Sequence, residues 1–178
     1  MKRQINPRTA IVPCPVVLLS VTGKDRPNII TLSWVANVCS EPPTVVAGIR
    51  PKRHSYNLVK EAGEFVLNIP TSEQIEGTKF AGTKSGRDHD KFAECGFTSV
   101  PAEKVSAPMI DECPINIECR TTQVIPLGSH DLFVAEVVAV HIDESVLDDK
   151  GRFDASKTSL FTYLSMSGQY WTLGERIP

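Results

Sequence analysis

The sequence predicts a mainly β protein, an antiparallel barrel with short helices inserted between its strands. Apolar runs of strand length recur at residues 16–22, 29–34, 44–49, 65–69, 115–124 and 132–142, which is the spacing of an all-β core. The helical segments, 56–62, 72–81 and 90–95, are short and do not alternate regularly with the strands. A doubly wound parallel sheet would require such alternation. In 132–142 both alternating sets, Phe133, Ala135, Val137, Ala139 and Leu132, Val134, Val138, Val140, are apolar. Such a strand is expected to be covered on both faces, by helices or by a partner subunit.

The helices carry their own punctuation. In 56–62, Leu58, Val59 and Ala62 share one side, and Gly63 suits the C-cap. Ser72 suits the N-cap of the second helix, and Asp88 or Asp90 that of the third. The tail from Lys157 holds Phe161, Tyr163, Tyr170 and Trp171. It is expected to pack on its own body or on a second subunit.

Bulk properties narrow the function classes. A chain of 178 residues fits one domain, 1–178, large enough to bury a real core. A net charge of −2 supplies no global field for nucleic acid or an anionic membrane. Pro7, Pro13 and Pro15 interrupt the N-terminal stretch, whose longest clean apolar run is 16–19. That run is too short for a signal core or a membrane helix, so a cytoplasmic protein is expected. The five cysteines contain no C-x-x-C pair, which disfavours a zinc ribbon or a disulfide framework.

Several familiar motifs fail. No G-x-G-x-x-G occurs, and no G-x-S-x-G elbow. The stretch 77–85 nearly mimics a phosphate-binding P-loop, but Thr83 stands where lysine must follow the second glycine. Asp88, His89 and Asp90 lack a second ligand cluster, so no metal site is expected.

What remains is a constellation around 28–56, NIITLSWVANVCSEPPTVVAGIRPKRHSY. Asn28, Thr31 and Ser33 put polar groups into an apolar strand, where each needs a partner. Trp34 offers a flat face for a ring, or is a core tryptophan beside strand threonines. The basic turn Arg50, Lys52, Arg53, His54 precedes a helix that Ser55 could cap. It reads either as a capped surface helix or as an anion site at a helix start. Further on, Lys91 enters the third helix after the loop TKSGRDHD, and Gly128-Ser129-His130 leads into the late strand. Lys91 could be solvated there, and His130 an ordinary turn histidine.

At these residues the sequence resembles the flavin reductase-like FMN-binding split-barrel family, especially its flavoredoxin-like branch. The matching motifs are Asn28…Thr31-x-Ser33-Trp34, Cys39-Ser40, Pro42-Pro43, the SGRD-x-DKF run ending at Lys91 and Phe92, and Gly128-x-His130. The resemblance covers roughly residues 13–170 and implies an FMN-binding split β-barrel of antiparallel, Greek-key type. It implies that Ser55, with Arg53 and His54, holds the FMN phosphate. Asn28, Thr31, Leu32, Ser33, Trp34, Cys39 and Ser40 would follow the ring. Lys91, His130 and Tyr163 would approach it, His130 being the candidate catalytic residue. It also implies a homodimer reduced by NADH or NADPH acting as a flavin reductase. The alternatives are a flavoredoxin-like electron carrier with a redox protein partner, or a flavin storage protein.

Overall fold

The chain's first two strands, β1 (Val17–Val21) and β2 (Asn28–Leu32), form an antiparallel hairpin. A computed structural model describes residues 1–177. After β2 come β3 (Val35–Ser40), β4 (Pro43–Ile49), α1 (His54–Ala62) and β5 (Glu64–Ile69). Then follow α2 (Ile75–Thr83), α3 (Lys91–Cys95) and the two-residue strands β6 (Ser99–Val100) and β7 (Met109–Ile110). Two long strands, β8 (Ile115–Pro126) and β9 (Asp131–Ile142), precede a terminal hairpin of β10 (Phe161–Leu164) and β11 (Gln169–Thr172). No helix among the described residues is long and apolar enough to cross a membrane.

Seven strands make one antiparallel sheet in the order β2-β1-β5-β8-β9-β4-β3. Its two outermost strands, β2 and β3, are consecutive in the chain, joined only by Ser33 and Trp34. The sheet therefore rolls until its edges meet at this link. The Gly48 N–H donates to the Trp34 carbonyl at 2.8 Å and ties β4 to the same point. This is the mainly β, split-barrel fold that the sequence predicts.

Strand alternation sorts the core into layers. Val17, Leu19, Ile30, Leu32, Phe65 and Phe133 point into the barrel, where Tyr56 and Val59 of α1 pack on the same cluster. On the opposite face Leu18 and Ile29 pack against Ala81 of α2 and Phe92 of α3. Val66 is covered by Val105 and Ala107. Each fully buried Phe or Leu contributes about 1.5–3 kcal/mol. The buried Asn68 amide on the outer face is satisfied: it donates to the Leu18 carbonyl and accepts from the Ile110 N–H and from Asn116.

Gly63 caps α1 as predicted, in the left-handed region at φ 68°, its N–H donating to the Val59 carbonyl. Two expectations need correction. Ser55 lies inside the first turn of α1, and Arg53 occupies the cap position with no side-chain cap bond. Thr71, not Ser72, starts the next helical segment, through a reciprocal capping box with Gln74. The segment before Pro42 is a further strand, β3, almost wholly exposed although Val35, Ala36, Val38 and Cys39 are apolar. Within one chain, Val140 is 52% and Ile142 39% exposed on β9, which leaves cover of that face to the partner subunit that the sequence allows for. One side of the distal half of β9 lacks a layer above it.

Candidate functional site

Where the sheet edges meet, a cavity of about 400 Å³ opens between β2, β4, the start of α1 and the terminal hairpin. β2 contributes Thr31 and Leu32 along one wall, and the Ser33–Trp34 link crosses the floor. Arg50 enters from the end of β4, Arg53 from the cap of α1, His130 from the turn before β9, and Tyr163 from β10.

Each wall residue is fixed by its neighbours. The Thr31 hydroxyl donates to the Thr78 carbonyl of α2 at 2.6 Å, so its backbone rather than its hydroxyl remains for a ligand. Tyr163 is held by reciprocal backbone bonds with Cys14, at 2.9 and 3.0 Å, and its ring rests 5.0 Å from Tyr170. Trp34 and His130 pack ring against ring at 4.2 Å, tilted by 41°. His130 Nε2 accepts from Arg50 Nε at 3.2 Å, and Ser129 Oγ lies 3.0 Å from Nδ1. Burial, then the Arg50 charge, lowers the His130 pKa below its usual value.

A second cavity, about 450 Å³, lies on the other side of the α1 start, lined by Arg26, Asn28, His54, Gly86 and Arg87 among others. Here Asn28 donates to Ser55 Oγ at 2.7 Å, while its Oδ1 is buried without a hydrogen-bond partner among the described residues. Gly86 packs so closely that an added Cβ would fall 1.9 Å from that oxygen. Burial lowers the His54 pKa, and the cations Arg87, Lys91 and Arg26 lower it further.

The predicted residues thus divide. Thr31, Leu32, Ser33, Trp34, Arg53, His130 and Tyr163 are gathered around one cleft. Asn28 and His54 face the adjoining cavity, with Ser55 bonded to Asn28 behind them. Lys91 is not brought to the cleft. It is 4% exposed and turned inward, donating to the carbonyls of Ile29 at 2.9 Å and Ala81 at 2.7 Å. Burial lowers its pKa to about 8. Cys39 and Ser40 stand exposed at the far end of β3. At about 3.3 Å per strand residue they lie well away from Trp34.

Arg50 went unassigned in the sequence, where it was one member of a basic cluster. The signal available was its position as the last residue before Pro51, at the end of an apolar strand pointing into the seam. Gly48, also in the lining, carries no chemistry that a sequence displays.

The donors fit a flat ligand with an anionic tail. A polar main-chain edge runs along β2, rings stand at Trp34, His130 and Tyr163, one guanidinium, Arg53, sits at the start of α1 and another, Arg50, beside His130. Residues 9–164 match the model of the flavin reductase like domain. Over its whole length the chain is similar to the flavoredoxin of Desulfovibrio vulgaris (Miyazaki F), at 34% identity, 96% of that chain and a TM-score of 0.94. It is likewise similar to a flavoredoxin from Methanosarcina acetivorans, at 31% identity, covering all of this chain and 94% of that one with a TM-score of 0.93. An FMN-binding protein from Thermus thermophilus shares 25% identity over 99% of this chain and 98% of its own, with a TM-score of 0.84. Since the matched span runs through the cleft-forming strands from β1 to β10, the chain belongs to the flavin reductase-like domain family.

Proposed function

We propose that the protein binds FMN in the seam cleft and acts as an NAD(P)H-dependent flavin reductase. The observation that carries this reading is a cleft that brings Arg53, at the start of α1, and Arg50, bonded to His130, together with the β2 backbone and the rings of Trp34, His130 and Tyr163. The name of the Thermus thermophilus relative supports FMN in particular.

In this reading Arg53 and the open first turn of α1 hold the phosphate. Cationic side chains and helix-start N–H groups favour an anion there. Main-chain groups of Thr31, Leu32 and Ser33 bond the polar edge of the ring, and Trp34 contacts its surface. FMN, when bound, supplies the hydride chemistry. The chain's own part is to orient the ring and to set positive charge near it, through Arg50, as negative charge develops. The exposed apolar side chains of Val38, Val140 and Ile142 support a homodimer covering the open side of β3 and β9.

A second reading, an electron carrier working between protein partners, draws support from the two flavoredoxins, which align over the full chain at above 30% identity. Anaerobic stopped-flow spectroscopy of the FMN-loaded protein separates the two. Bleaching of the visible flavin band by NADH or NADPH is the expected result. A band that persists at saturating nicotinamide yet bleaches with a reduced protein partner would replace the reductase reading by the carrier.

A further inference from the structure

His130 stands between fixed neighbours that decide where its proton resides. Arg50 Nε lies 3.2 Å from Nε2, and Ser129 Oγ 3.0 Å from Nδ1. A guanidinium N–H is always a donor and keeps its proton throughout the accessible pH range. Nε2 must therefore offer a lone pair. The ring proton then belongs on Nδ1, facing a hydroxyl oxygen that can accept it. An imidazolium would instead set an Nε2–H against the N–H of a permanent cation.

We propose that Arg50 is a positioning residue that holds His130 as the neutral, Nδ1-protonated imidazole, and that Arg50, not His130, is the positive group presented to the cleft at this point. The surroundings agree. Arg53, at the start of α1, adds a second positive charge to the same lining. Asp131, the adjacent carboxylate on β9, accepts the Tyr56 hydroxyl at 2.6 Å. Tyr163 comes from β10, and the Trp34 ring packed on His130 is uncharged. No carboxylate among the described residues lines this cavity to favour an imidazolium.

The consequence is a flat, uncharged wall beside Trp34 with both nitrogens engaged. His130 then serves as a surface rather than a proton shuttle. The nitrogen assignment holds with or without a flavin, whereas the electrostatic part given to Arg50 rests on the flavin reading.

The test uses the flavin-free full chain with ¹⁵N-labelled histidine, followed by long-range ¹H–¹⁵N correlation from pH 5 to 9. The expected spectrum shows Nδ1 protonated and Nε2 bare at neutral pH. In Arg50→Met the tautomer should shift toward Nε2–H and the titration midpoint should rise by about one pH unit. A wild-type spectrum with Nε2 protonated, or a variant with unchanged tautomer and midpoint, would overturn the proposal. If Arg50→Met does not fold, the wild-type spectrum alone decides. Failure of the same protein to take up added FMN would sink the flavin reading and leave the tautomer assignment standing.

Discussion

The Tyr56 hydroxyl donates to Asp131 Oδ2 at 2.6 Å, so the first turn of α1 is bonded to the first residue of β9. Residue 131 follows His130 directly. One hydrogen bond therefore joins the helix start beside Arg53 to the strand mouth that carries the imidazole. Replacing Tyr56 by Phe keeps the edge-on packing with Phe133, whose ring lies 5.5 Å away, and removes only this tie. The melting temperature is expected to fall by about 2–4 °C. A differential scanning calorimetry trace identical to wild type would show that the bond does not hold these elements together.

Lys91 predicts a stability change in the alkaline range. Its pKa is about 8 in the folded chain, lowered by burial, against 10.5 when unperturbed. Below about pH 8 both states hold the proton; between about 8 and 10.5 the unfolded chain binds more protons, so stability rises with pH. Relative to Lys91→Met, the wild-type protein should therefore gain unfolding free energy from pH 8 to 10. Urea titrations of both proteins at several pH values measure the difference, and parallel curves would contradict it.

Glu118 predicts the acid limb. Burial alone would raise its pKa, but the N–H of Glu103, the His141 ring, and the N–H groups of Lys104 and Val105 together hold it below the ordinary carboxylate value. The stability it contributes is present above about pH 4.5 and is lost as pH falls through the lowered folded-state value. Glu118→Gln should cost about 1–3 kcal/mol at neutral pH, because one buried oxygen becomes a donor facing donors. It should also flatten the loss of stability in acid, which circular dichroism against pH would record.

Trp34→Ala should weaken FMN binding by about tenfold, equivalent to ~1.4 kcal/mol for one lost aromatic contact. Fluorescence titration of the apoprotein measures it. Unchanged affinity would remove Trp34 from the ring contacts.

The proposed phosphate end is better tested at Arg53 than at Ser55. Ser55 is buried and accepts the Asn28 amide, so Ser55→Ala disturbs β2 as well as any ligand. Arg53 is exposed and lines the cleft. Arg53→Ala should lower FMN affinity by about tenfold while leaving riboflavin affinity nearly unchanged. Equal losses for both ligands would place the phosphate elsewhere.

The legible parts of the chain were those written in apolar periodicity or turn chemistry. Phe65, Leu67 and Phe133 announce buried strands, and Gly63 announces a helix end, because burial and positive φ each demand a narrow set of residues. β3 was missed although Val35, Ala36, Val38 and Cys39 are apolar, because only Ser33 and Trp34 separate it from β2 and no Gly or Pro marks its start. The cleft was half legible. Thr31, Ser33, Trp34 and His130 stand out as polar or aromatic groups at strand ends, whereas Arg50 looked like one cation among several until the fold aimed it at His130. Lys91 was misplaced for the same reason reversed: a lysine opening a helix reads as solvated or ligand-facing. Only the packing of α2 and α3 against β2 turns it inward onto two carbonyls.

Because only Ser33 and Trp34 join the sheet's first and last strands along the chain, a molecule lodged there would act as a clasp between the two margins. Its binding energy should be felt as slowed opening of those margins more than as stiffening of the interior. Amide deuterium uptake should fall at β2 and at the beginning of β3 once FMN is added, and β8 should keep the rate it had before.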